Sequence, residues 1–286
     1  MEEYDSLQSI RELDLCRHRK TGELVMVNQF YNNGASEGYF SSSFIDKQIS
    51  EIQKLDHPNV AGLKHVWRRG PCYFLAYEYL QYTLSTLIKN RQDLVKDDQS
   101  FRKNILKQML QAVKYFHEQG VIHQELRPEY VLVDLDSNTV KLAYIGETFR
   151  GDKGPYELGS LSYKAPEYVF GPGNFSTPFT VWSVGCSFVE MITGKPLFDC
   201  NDPLLLGGRI LRFLCQSNSE GQTKSSTSNK PGDWRANLQF KNLTEEFPGL
   251  EPAEVDLLSK MLRFHPDERI TIEDALEHEY FNDFQA

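Results

Sequence analysis

Up to about Leu80 the apolar residues of this chain come in short runs, and beyond it they recur every three or four positions. Leu24-Val-Met-Val27 follows a Thr21-Gly22 turn and reads as a buried strand, as does Tyr73 to Tyr77. From Phe44 to Leu55 the period changes: Ile45, Ile49, Ile52 and Leu55 fall at helical spacing, so an amphipathic helix is expected there, stopped by Asp56-His57-Pro58-Asn59. Further on, Phe101, Ile105, Met109, Val113 and Phe116 mark one face of a long helix closed by Gly120. Val131-Leu-Val-Asp134 and Val140-Lys-Leu142 flank Asp136-Ser-Asn138, a hairpin signal. Trp182 to Ile192 is apolar nearly all round and ends at Gly194, the pattern of a helix buried in a core. Gln216 to Asn229 is rich in Ser, Thr, Gly and Gln and cannot bury enough surface to stay ordered. There is no internal repeat.

Composition narrows the class without naming a function. With 286 residues, 40% of them hydrophobic and 25% charged, the chain suits one two-lobed globular domain or two small ones. A formal charge of −9 argues against a general nucleic-acid binder, which needs a basic surface. The five cysteines, Cys16, Cys72, Cys186, Cys200 and Cys215, form no C-x-x-C pair, so reduced thiols are expected and not a zinc site or a disulfide framework. Met1-Glu-Glu-Tyr4 lacks the basic and apolar regions of a signal peptide, and no apolar run reaches membrane-spanning length. The expected address is the cytoplasm, with the nucleus as the alternative, and no membrane or nucleic-acid partner is expected.

Six short segments carry more information. His123-Gln-Glu-Leu-Arg-Pro-Glu-Tyr130 resembles the catalytic loop of protein kinases, H-R-D-L-x-x-x-N, with its key letters changed. Lys141-Leu-Ala-Tyr-Ile-Gly146 is similar to K-L-x-D-F-G, and Tyr163-Lys-Ala-Pro-Glu167 to the A-P-E segment. Val181-Trp-Ser-Val-Gly-Cys186, His265-Pro-Asp-Glu-Arg-Ile270 and His278-Glu-Tyr-Phe281 resemble later landmarks, all in the family's order and spacing. Ser42-Ser-Phe-Ile-Asp-Lys-Gln48, at the place of the P-S-T-A-I-R-E helix, makes the resemblance one to the cyclin-dependent-kinase-like (CMGC) group. It implies an α+β, two-lobed protein-kinase fold in a single domain over 1–286. A small β-rich N-lobe would cover about 1–78, a hinge about 78–82 with Tyr77 as gatekeeper, and a larger helical C-lobe about 83–286.

The same resemblance implies that the chemistry has gone. Phosphoryl transfer depends on positioned charges more than on covalent chemistry. The stretch Ile10 to Cys16, in place of the glycine-rich loop, has no glycine. The phosphate-holding lysine corresponds to Asn28, its partner glutamate to Gln48, and the catalytic aspartate to Glu125. The two magnesium ligands correspond to Tyr130 and Tyr144, and Mg²⁺ wants compact, hard oxygen donors. Met26 replaces the small residue over adenine and would occlude the pocket, so no cofactor and no metal are expected. Gln124 replaces the arginine that clamps an activation-loop phosphate, and Thr180 replaces the aspartate that anchors the catalytic loop.

Structural positions are kept. The resemblance implies a packed column of Ile52, Leu63, His123 and Ile145, and a Glu167–Arg269 pair tying the activation segment down. Glu125 is expected to be satisfied by Arg127 and His123 to be a core histidine. The expectation is a pseudokinase that acts as scaffold or allosteric regulator of a protein partner, an active kinase among the candidates. The rival is a residual nucleotide binder or weak phosphotransferase with a rebuilt site; a third reading is a structural module whose cleft holds another ligand. Leu204, Leu205 and Leu206 are consecutive, cannot all face a core, and are the candidate partner surface.

Overall fold

The computed structural model describes residues 4–10, 13–31, 42–143, 160–171, 175–215, 241 and 243–282, with only the backbone of residues 10, 30, 31, 42–44 and 48. The first part is a five-stranded antiparallel sheet in the order β1-β2-β3-β5-β4. Its strands are β1 (Tyr4–Ile10), β2 (Leu13–His18), β3 (Leu24–Tyr31), β4 (Leu63–Arg69) and β5 (Cys72–Glu78). Successive side chains alternate between faces. Met26, Tyr73, Leu75 and Tyr77 join the main core, whereas Val25, Val27, Phe74 and Ala76 join a second cluster with Tyr4 and Cys16. Both faces of β3 and β5 are therefore covered, which is why these strands read as unbroken apolar runs. Trp67 completes the second layer, stacked between Tyr4 at 4.8 Å and Phe74 at 5.1 Å.

The helix expected over Phe44 to Leu55 is α1, Ser42–Ile52, and it ends three residues early. Lys54 and Leu55 bond back only three residues, to Glu51 and Ile52, so the last turn tightens before Pro58. Ile45, Ile49 and Ile52 are buried in the main core, as their spacing predicts, and Leu55 is partly buried. Ile52→Ala is expected to lower stability by about 2–5 kcal/mol, the usual effect of emptying a well-packed site. A urea midpoint equal to the parent's would contradict that placement.

Beyond the sheet lies the helical part. Its described helices are α2 (Leu84–Asn90), α3 (Gln92–Val95), α4 (Gln99–Glu118), α5 (Pro166–Phe170), α6 (Thr177–Thr193), α7 (Pro203–Leu214), α8 (Pro252–Met261) and α9 (Ile272–Leu276). A small sheet of β6 (Tyr82–Thr83), β7 (Val131–Asp134) and β8 (Thr139–Leu142) sits between the two parts. The β7–β8 turn is the expected hairpin, with Asn138 at φ 54°. Every residue of α6 from Phe179 to Met191 is buried, and Gly194 stops the helix at φ 76°, a conformation that favours glycine. The result is a two-lobed α+β architecture with a small β-rich lobe and a larger helical one.

The lobes are clasped at Asn59 to Gly62. Ala61 N–H donates to the Leu142 carbonyl at 2.9 Å, and Leu142 N–H to the Asn59 carbonyl at 2.8 Å. The Asn59 amide donates to the Val140 carbonyl at 2.9 Å and to Gln108 Oε1 at 2.7 Å. At the hinge, Glu78 Oε1 accepts from Gly62 N–H at 2.7 Å and from Lys141 Nζ at 2.8 Å.

Candidate functional site

The loop from Val121 to Tyr130 joins α4 to β7 and closes in a short 3-10 turn, Pro128–Tyr130. Its charged side chains turn inward. Glu125 is 5% exposed, and its Oε1 lies 3.2 Å from Arg127 Nε and accepts from Ser160 N–H at 3.3 Å. The guanidinium of Arg127 lies 4.8 Å from the centre of the Tyr130 ring and donates to its hydroxyl at 3.2 Å. Glu129 Oε2 stands 4.0 Å from the same guanidinium, and its Oε1 accepts from Ser85 Oγ at 3.1 Å. Burial opposes the charge on Arg127, but Glu125, Tyr130 and Glu129 outweigh it and raise its pKa above the ordinary value. The loop is thus closed around one fully charged arginine.

A second buried cation holds the loop from outside. At the position where the resemblance expects the loop's aspartate anchor, Thr180 Oγ1 is fully buried and has no hydrogen-bond partner among the described residues. Lys164, 1% exposed, instead donates from Nζ to the Gln124 carbonyl at 3.1 Å. Its ammonium sits among the rings of Tyr168 at 5.4 Å, Phe175 at 5.2 Å and Phe179 at 5.7 Å. Sequence reasoning passed over this residue. The signal was a lysine followed by aromatics at positions 168, 175 and 179, which meet only once α5 and α6 pack.

His123 is fully buried and its Nε2–H donates to the Ala143 carbonyl at 3.3 Å, so it is a core histidine. Tyr163 is buried and donates to Glu190 Oε2 at 2.5 Å. Burial first, and the Glu190 charge second, push its phenol pKa far up, so it stays a donor.

The β-rich lobe contributes from the inner face of β3. Met26 pairs across the sheet with Leu15 and Tyr77 and is 1% exposed, within the core. Asn28, two residues on and opposite Leu75, is buried on the same face. Gln48 lies on α1 but only its backbone is described, and Tyr144 and Ile145 lie outside the described residues, as does the stretch from Gln216 to Asn229. Of the expected column, Ile52 and His123 are buried while Leu63, the first residue of β4, is only partly so.

The Glu167–Arg269 pair is formed as a fork, with Nη1–Oε1 at 2.7 Å and Nη2–Oε2 at 2.5 Å. The candidate surface on α7 needs one correction. Leu204 and Leu205 are 84% and 59% exposed, but Leu206 is buried. It shares the inner face of α7 with Ile210 and Leu214, at i, i+4 and i+8, so it belongs to the core. A cavity of about 580 Å³, lined among others by His57, Lys107, Lys114, Tyr115 and Phe281, opens beside α4 and contains none of the residues expected at the catalytic, nucleotide or metal positions. Among the described residues no helix is long and apolar enough to cross a membrane. The family model described as protein kinase domain matches residues 12–281.

Proposed function

The chain belongs to the protein kinase domain family, and we propose that within it the protein is a cyclin-dependent-kinase-like pseudokinase, working by binding another protein and not by phosphoryl transfer. The observation that carries this reading is the state of Glu125. The residue at the catalytic-base position is buried, paired with Arg127 and capped by Ser160 N–H. A general base must reach the proton it takes. Here the carboxylate is engaged by the protein's own donors, and the end of the activation segment lies on it.

The residues present do not suit a magnesium nucleotide. At the phosphate-binding position a lysine would offer a point charge, and Asn28 offers a buried neutral amide. At one metal position Tyr130 presents a buried ring stacked under Arg127, with its hydroxyl already accepting from that guanidinium. What remains is a rigid scaffold, fit to hold a protein partner, such as an active kinase, in the cytoplasm or nucleus.

Thermal unfolding with and without millimolar ATP and Mg²⁺ tests the reading. A ligand at a hundred times its Kd stabilises the fold by about 2.7 kcal/mol. The expected melting temperature is unchanged. A magnesium-dependent rise of several degrees would establish the rival, a nucleotide-binding protein with a rebuilt site.

A further inference from the structure

Helix α7 is built to stand where it does. Asp202 caps it by accepting from Leu205 N–H at 2.9 Å, and Pro203 opens its first turn. Leu206, Gly207, Ile210 and Leu214 face inward. Gly207 has a packing reason, because a Cβ there would lie 2.8 Å from Phe170 Cζ and 3.2 Å from Val169 Cγ1 on α5.

Gly208 has none. It is exposed, its φ is not positive, and a Cβ placed on it would meet nothing within 4 Å among the described residues. Glycine in the interior of an exposed helix is unfavourable relative to alanine. Among the described residues nothing in the packing calls for glycine at 208. What glycine does provide on an outer face is room for another backbone to approach closely. Around it on that face stand the exposed Leu204 and Leu205 on one side and the exposed Arg209 and Arg212 on the other. Arg209 also donates to the Asp199 carbonyl, which holds it close to the helix. The face is apolar towards its N-terminal end, where the exposed Asp199 and Asp202 border it, and basic towards its C-terminal end, on a chain whose formal charge is −9.

We propose that this outer face of α7 is the docking surface for an acidic amphipathic helix of a partner protein, crossing α7 at Gly208 with its apolar side on Leu204 and Leu205 and its carboxylates on Arg209 and Arg212. The proposal rests on the reading that the protein works by binding, and it adds the chemistry of what is bound. Two copies crossing antiparallel at Gly208 would set Arg212 of each beside Leu204 of the other and bury its charge without a partner, so a second copy is the wrong occupant. A nucleic acid has no use for the exposed leucines.

The test is selection of a displayed library of helical peptides on the immobilised full chain, followed by affinities for its variants. Enriched peptides should be acidic, with apolar residues at i, i+3 and i+4. Leu204→Glu, Gly208→Leu and Arg212→Glu should each weaken them by about tenfold or more, with melting temperatures close to the parent's. Gly208→Ala should raise the melting temperature and still weaken binding, a combination that a merely structural glycine would not give. Peptides that depend on Leu204 but are basic or uncharged would overturn the partner chemistry and leave the surface standing. An outcome with no peptide that depends on Leu204, Leu205 or Gly208 would overturn the surface itself, while the ATP experiment judges the pseudokinase reading separately.

Discussion

Arg269→Ala is expected to remove about 3–5 kcal/mol of stability, a large fraction of what a domain usually has. All five guanidinium N–H groups have partners. Nε donates to the Arg263 carbonyl at 2.9 Å, Nη1 to Glu167 Oε1 at 2.7 Å and the Pro178 carbonyl at 2.9 Å, and Nη2 to Glu167 Oε2 at 2.5 Å and the Phe264 carbonyl at 3.2 Å. The plane also sits 5.2 Å from the centre of the Trp182 ring. Alanine leaves a largely buried carboxylate and three carbonyls without these donors. Arg269→Lys should recover little, since an ammonium has three donors and no fork. Glu167→Gln keeps one acceptor and should fall between, and serves as the measurable variant if alanine prevents folding. Urea unfolding with an unchanged m-value checks the series. A midpoint for Arg269→Ala within about 0.5 kcal/mol of the parent, the range of surface changes, would refute it. The pair holds α5, which continues the segment from Ser160, so loosening it should also free the cap on Glu125.

How far these features could be read from the sequence depends on how local their causes are. Strands β3 and β5 were legible because both faces are covered and the apolar run is unbroken. Strand β4 was not, since Lys64, His65, Arg68 and Arg69 are exposed and Trp67 packs on Tyr4, which lies far away in the chain. The inward side of α7 was present in the spacing of Leu206, Ile210 and Leu214, but three consecutive leucines masked it. In the site, the Glu125–Arg127 pair is two residues apart and could be anticipated. The Lys164 anchor could not, because its cage and the Gln124 carbonyl come together only through tertiary packing. Where the resemblance expects an aspartate anchor and the sequence has Thr180, the loop is held by the Lys164 ammonium on the Gln124 carbonyl.

His123 should give the protein a share of acid sensitivity that a single substitution removes. Its ring is fully buried, 5.7 Å from Phe116, with Nε2–H on the Ala143 carbonyl. Burial is the largest influence and lowers its pKa from 6.5 to about 4; the Ala143 bond and the Glu125 charge push upward, and Lys164 pushes down again. The sign follows from which state takes the proton. Above pH 6.5 the imidazole is neutral whether the chain is folded or not, and it contributes no penalty. As pH falls from 6.5 towards 4 the unfolded chain binds a proton that the folded one refuses, so stability drops; below that window both states are charged and the loss is complete. The full loss amounts to about 3 kcal/mol. Carboxylates held low, such as Asp134 with the Ser137 and Asp136 N–H groups on it, lose stability in acid too, but equally in parent and variant. The quantity to measure is therefore the stability difference between pH 7 and pH 4 in the parent and in His123→Gln. The variant is less stable at pH 7, where it has lost the packed ring, and its curve should be flatter by about 3 kcal/mol across that interval. Parallel curves would mean that His123 titrates in the folded protein as it does in water, and that the centre of the candidate site is open to solvent.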